Sequence, residues 1–178
     1  FGAKIIPARG AWIELESDNQ GLIYVKIDRK KKFLVTSLLR ALGAEDEKAM
    51  LKLVKGVERG EEYIKAALEA DPAKTTDDSY LEIYKRLRDG DLATIDNAKD
   101  FVNSIFSPER YDLSEIGRWH FNGRYGMPND DKSIQKRTID IGDVQLILKQ
   151  IIESNHDVTA LPDDIDHLGN RRVRSVGE

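Results

Sequence analysis

Residues 11–28 read AWIELESDNQGLIYVKID, and their periodicity decides how the fold begins. Ala11, Ile13 and Leu15 alternate with Trp12, Glu14 and Glu16, the two-residue period of a strand with one buried face. SDNQG is a turn signal, after which Ile23, Val25 and Ile27 repeat the alternation. The two runs predict an antiparallel hairpin whose aliphatic row faces a core. Trp12 falls on the opposite face, beside two glutamates. An indole there has two readings. Either it packs under another part of the chain, or it offers a platform on which an unpaired nucleobase stacks.

Beyond the hairpin the period becomes helical. The basic run RKKK, from Arg29 and Lys30 to Lys32, is either a solvated connection or a phosphate contact. Val35, Leu38, Leu39 and Leu42 form one stripe, with Gly43 placed to end the helix. Residues 44–70 read as helical, charge-dense and poorly patterned, and DPAKTTDDS reads as a loop. Ser79 and Glu82 have the spacing of a capping box ahead of Tyr80, Ile83, Tyr84 and Leu87, and RDGD breaks that helix. Ala98, Phe101, Val102 and Ile105 stripe the next one, stopped by Pro108. Asp112 and Glu115 are placed to cap a short helix carrying Trp119, a residue expected in the core or an interface. NGRYGMPNDDKS reads as a loop, and Val144, Ile147, Leu148, Ile151 and Ile152 give the cleanest amphipathic helix. The expected class is α+β, antiparallel strands followed by at least four amphipathic helices, in one domain over 1–178.

The 178 residues are 40% hydrophobic and 34% charged, the profile of a globular domain with a charge-rich surface. A formal net charge of −4 argues against a wholly basic nucleic-acid coat, though it says nothing of local patches. Without cysteine there is neither disulfide nor thiol chemistry. No phosphate-cradling glycine loop and no nucleophile elbow occurs, and His120, His156 and His167 are scattered. The sequence begins at Phe1 rather than Met, so a piece of a longer protein is expected. One stretch, DDIDHLGNRRVRSVGE at 163–178, is dense in chemistry. Asp163, Asp164, Asp166 and His167 could ligate a hard cation, but Arg171, Arg172 and Arg174 crowd behind them and favour an anion. Capping and ordinary hydrogen bonding remain open for the same acids.

That stretch resembles, almost letter for letter, the β subunit of bacterial DNA-directed RNA polymerase. AKIIPARGAWIELE, VKIDRKKKFLVTSLLRALG, LEIYKRLRDGD and ERYDLSEIGRWHFN resemble it too, in the family's order. The likeness covers most of the chain and is weak at 44–78 and 123–137, where the family also varies. RDGDLAT replaces a more proline-rich turn, and GRWHFN replaces commoner residues. The resemblance implies the lobe, a domain inserted into the neighbouring protrusion. The chain ends would then lie close together, with residues 163–178 as the outgoing segment. It implies no catalytic residue and no cofactor in this chain. The enzyme's Mg²⁺ would be held by an NADFDGD motif of the other large subunit. The lobe's role is to line the DNA cleft and hold the non-template strand and downstream duplex. By motif, Trp12 corresponds to a tryptophan that stacks on a non-template base, and Asp166 and Arg171 to part of a guanine pocket. A carboxylate suits guanine because it accepts N–H groups from that base's Watson–Crick edge. Arg88 and Arg110 correspond to arginines nearer the upstream strand, and Arg29, Lys30, Arg172 and Arg174 are further candidate backbone contacts. The expected partners are DNA, the other polymerase subunits and, through the charge-dense segment 44–78, sigma factor or regulators. The expected location is the bacterial cytoplasm, at the nucleoid.

Overall fold

The predicted hairpin is the centre of a four-stranded antiparallel sheet in the order β1-β2-β3-β4, formed by Gly2–Ile5, Ile13–Ser17, Ile23–Ile27 and Phe33–Leu34. The computed structural model describes residues 1–170. Arg171, Arg172 and Arg174 lie outside the described residues. The register sets Ile13 opposite Ile27 and Leu15 opposite Val25, so one face is a continuous aliphatic layer. These four side chains are between 0% and 2% exposed, each contributing about 1.5–3 kcal/mol of burial. The two outer strands are short. β4 is only two residues before the first helix, so its alternation is too brief to register as a strand signal.

Eight helices follow among the described residues: α1 (Val35–Ala41), α2 (Glu47–Leu53), α3 (Gly60–Ala70), α4 (Thr76–Leu87), α5 (Ile95–Ile105), α6 (Ser114–Arg124), α7 (Asp131–Ile134) and α8 (Ile141–His156). The class is α+β, as the sequence predicts. Helix α1 packs against β3 and β4, and α8 against β1 and β2, which closes the apolar face of the sheet. Leu38, Leu39, Ile83, Leu148 and Ile152 are wholly buried in that core. The charge-dense stretch 44–70 divides into α2 and α3, and buries Met50, Ile64 and Ala67. Asn155, in the last turn of α8, donates to Ser17 Oγ at 3.0 Å and so ties the end of β2 to that helix.

Two local expectations are corrected and a third is narrowed. The capping box of α4 lies four residues earlier than Ser79 and Glu82. Thr75 Oγ1 accepts the Asp78 N–H at 3.1 Å, and the Asp78 carboxylate accepts the Thr75 N–H at 3.1 Å. Ser79 is inside the helix, where its hydroxyl donates to the Thr75 carbonyl. Asp112 and Glu115 do not box the start of α6. Ser114 Oγ accepts the Gly117 N–H, while the Asp112 carboxylate is gripped by Arg137 through Nε at 2.8 Å and Nη2 at 2.5 Å. Trp119, expected in the core or an interface, is 51% exposed, which excludes the core and leaves the interface, because the inward face of α6 is taken by Arg118 and Asn122.

The Arg118 guanidinium is 1% exposed. It donates to both carboxylate oxygens of Asp143, at 2.8 and 3.0 Å, and to the carbonyls of Lys136 and Thr138. Asp143 also closes the capping box of α8 with Asp140. A second buried carboxylate, Asp71, accepts from Thr36, Ser37 and the Ala73 N–H, fixing the start of α1 against the loop before α4.

Candidate nucleic-acid interface

The face of the sheet turned away from the core carries an alternation complementary to the aliphatic one. Glu14 and Glu16 of β2 stand opposite Lys26 and Tyr24 of β3, and Lys4 of β1 stands opposite Glu14. Two ion pairs neutralise the middle of this face: Lys26 Nζ to Glu16 at 2.7 Å and Lys4 Nζ to Glu14 at 3.4 Å. The Glu16 hydrogen bond, foremost, holds the Lys26 ammonium above its ordinary pKa. Among the described residues the buried Glu14 Oε1 accepts no hydrogen bond.

Trp12 sits at the edge of this face, half-buried, one residue before β2. Its backbone extends the β2–β3 ladder. The Asp28 N–H donates to the Trp12 carbonyl at 2.9 Å, and the Trp12 N–H donates to Asp28 Oδ1 at 2.8 Å. The strand is then turned by Asp28 and Arg29, both left-handed at φ +50° and +59°, with the Lys30 N–H closing onto the Ile27 carbonyl at 3.0 Å. Two successive positive φ angles define a type I′ turn, which ordinarily uses Asn-Gly or Asp-Gly. Arginine in that conformation costs about 1–2 kcal/mol. The strain sets the Arg29 guanidinium 4.8 Å from the indole centroid, and Lys4 Nζ approaches the same ring to 5.0 Å. Trp12 is therefore neither core nor bare surface. Its ring is held by its backbone and dressed by two cations.

The other expected contacts are dispersed. Lys30 is exposed just after the turn, while its neighbour Lys31 is spent on Asp89 at 2.5 Å. Arg88 ends α4, lies 4.9 Å from the Phe101 ring centroid and is 3.7 Å from Asp91. Arg110 follows α5 and reaches Ser104 Oγ at 3.4 Å. Asp166 lies in an exposed turn, where its N–H donates to Asp164 Oδ1 at 2.9 Å. Its neighbours in the acidic run are turned to protein donors. Arg124 holds Asp163 at 2.6 Å, and His167 Nδ1 accepts the Gly169 N–H at 3.0 Å.

Thus the structure assembles Trp12 with Arg29 and places Arg88 and Arg110 on other elements. Arg171, Arg172 and Arg174 lie outside the described residues, so the pairing of Asp166 with Arg171 is not among the contacts. Sequence reading missed Lys4, Asp28 and Tyr24, while Lys32 belongs to the basic run already read as a phosphate-contact candidate. One of the three missed residues carried a signal, since the alternation that turns Ile23 and Val25 inward puts Tyr24 on the outward face.

Comparison with known proteins adds three findings. Residues 3–174 match the family model described as RNA polymerase Rpb2, domain 2. The DNA-directed RNA polymerase subunit beta of Dehalococcoides mccartyi is 40% identical over 179 residues, which is 98% of this chain and 14% of that protein. The subunits of the same name from Syntrophomonas wolfei and Streptomyces coelicolor are 42% and 39% identical over the whole chain. The chain spans between 14% and 16% of the length of these relatives.

Proposed function

The chain belongs to the RNA polymerase Rpb2 domain 2 family, and from that premise we propose that it is the lobe of a bacterial polymerase β subunit, a non-catalytic surface for the unpaired non-template strand. The observation that carries this reading is the Trp12 ring on the outward sheet face, flanked by Arg29 and Lys4. Base–aromatic stacking is worth about 1–3 kcal/mol, and cations beside the ring serve the phosphates on either side of the stacked base. A base arriving on the face covered by a cation displaces it from the ring, and that cation then has a phosphate within its reach. The strained turn has a purpose in this reading, since it holds Arg29 where both partners are accessible. Local charge of this kind acts despite the net charge of −4.

The whole enzyme would transfer nucleotides with Mg²⁺ bound by its other large subunit, and this domain would position DNA for it. Asp166 and Arg171 would supply the guanine-reading half of a pocket completed by the neighbouring protrusion. Arg88, Arg110, Lys30, Arg172 and Arg174 would make backbone contacts. Partners would be DNA and the remaining polymerase subunits, and the location the bacterial cytoplasm, at the nucleoid. Among the described residues no helix is long and apolar enough to cross a membrane.

A second reading, docking of sigma factor or a regulator, is favoured by one observation. Ile116 and Trp119, one helical turn apart on α6, are 61% and 51% exposed. The readings separate in the assembled polymerase. Trp12→Ala should alter pausing or start-site choice while regulator binding is kept, and the reverse outcome favours docking. For the chain itself, Trp12 emission in a Trp119→Phe background should be quenched by single-stranded oligonucleotides, weakly and with a steep salt dependence. Tight binding indifferent to salt contradicts a partial site.

A further inference from the structure

We propose that the same sheet face holds a second nucleobase platform, Tyr24 covered by Lys32, which takes another unpaired base of the strand that meets Trp12. The proposal rests on the Trp12 reading and extends it. Tyr24 and Lys26 of β3 alternate onto one face opposite Glu16 and Glu14, and Asp28, just past the strand end, is hydrogen-bonded to Trp12. Tyr24 is thus on the side of the sheet that carries Trp12, four strand positions along, a separation of about 13 Å. The ion pairs of Lys4 with Glu14 and Lys26 with Glu16 lie between the two rings, so a strand crossing from one to the other meets a neutralised surface.

Lys32 Nζ is 3.8 Å from the Tyr24 ring centroid, against 4.8 Å for Arg29 over Trp12. Among the described residues Lys32 is exposed and has no carboxylate partner, so the ring is its resting place until a phosphate arrives. Beside this pair lies a concavity of about 230 Å³, bounded by Tyr24, Lys32, Leu34, Asp71, Glu82 and Arg86. That is smaller than the roughly 300–1,000 Å³ of a typical small-molecule pocket, a size suited to one planar ring system. Its acids are already engaged. Glu82 accepts from Arg86 Nε at 2.7 Å, and Asp71 accepts from Thr36, Ser37 and the Ala73 N–H. What remains is the half-buried Tyr24 ring, the exposed Lys32 ammonium and the Arg86 side chain, 42% exposed. This set recognises a base and its phosphate. An acidic peptide would use the cations and leave the ring without a partner, so single-stranded nucleic acid is the favoured class.

The test uses the 178-residue chain in the Trp119→Phe background with the probe dT12. Anisotropy gives affinity, and Trp12 quenching at saturation reports the first platform separately. Tyr24→Ala should weaken dT12 about five-fold or more, with the Trp12 quench at saturation preserved, and Tyr24→Phe should retain binding. Lys32→Gln, an exposed substitution with no folding consequence, should weaken dT12 and lower the slope of log affinity against log salt by about one. If Trp12 is quenched but Tyr24→Ala and Lys32→Gln both bind within two-fold of the parent, the second platform is overturned and the Trp12 reading stands. If dT12 quenches nothing, both fall. A twelve-residue oligoglutamate that displaces dT12 at equal concentration overturns the proposal in favour of a general anion site.

Discussion

Replacing Asp143 with alanine removes the only carboxylate that faces the Arg118 guanidinium among the described residues, at a place where neither side chain is more than 1% exposed. The consequence is a buried cation held by two backbone carbonyls and no counter-charge. Breaking a buried pair from one side costs about 3–5 kcal/mol. The same carboxylate accepts the Asp140 N–H at 3.1 Å in the α8 capping box, and loss of that bond adds about 1 kcal/mol. Roughly 4–6 kcal/mol is a large share of the 5–15 kcal/mol typical of a folded domain. At about 2–4 °C per kcal/mol for a chain of this length, the melting midpoint should fall by about 8–24 °C. Urea unfolding at neutral pH, followed by far-UV circular dichroism, measures the free energy. The double replacement Arg118→Met with Asp143→Leu is the control. It removes both charges, so it should recover part of the loss but not all, because the Lys136 and Thr138 carbonyls then lose their donor. A single Asp143→Ala variant within about 1 kcal/mol of the parent would refute the account, since the pair would then be compensated by water or by relaxation.

Two further outcomes follow from other groups. Tyr111 is fully buried and among the described residues its hydroxyl has no partner, and burial pushes its phenol well above the ordinary pKa. Tyr111→Phe should therefore stabilise the chain by about 1 kcal/mol, and a lower melting midpoint would show that the hydroxyl is bonded after all. Asp112 is held below the usual carboxylate range, chiefly by its hydrogen bond from Arg137. A depressed carboxylate contributes stability that is present above its unfolded pKa of about 3.9 and is lost as pH falls through the folded value. Arg137→Met should be less stable than the parent at neutral pH, and the gap should narrow on acidification below about pH 4. A gap independent of pH in urea titrations would assign the Arg137 effect to packing instead.

The legible parts of the fold were those where one short-range pattern sufficed. The period of two in residues 11–28 predicted β2, β3 and their buried faces, and the apolar stripe from Val144 to Ile152 predicted α8. Misreadings arose where two local signals competed. Thr75 with Asp78 and Ser79 with Glu82 have equal cap spacing, and only the position of α4 against α1 buries Ser79 and exposes Thr75 to its role. Asp112 looked like a cap because its long-range partner, Arg137, is 25 residues away.

The same division holds at the candidate interface. Sequence by itself determined that Trp12 faces away from the aliphatic row, because side-chain direction in a strand alternates whatever surrounds it. It also carried the runs by which the chain resembles the polymerase β subunit. Which cations meet that indole was decided by the tertiary structure. Lys4 reaches Trp12 from a neighbouring strand, and Arg29 reaches it through a turn in which two residues adopt left-handed backbone. The pairing of Tyr24 with Lys32 also needs β3 and β4 brought side by side. Neither a sheet register nor a positive φ on a non-glycine residue follows from composition or period. Both are imposed when the buried face closes, since the free energy of that closure exceeds the cost of one strained arginine.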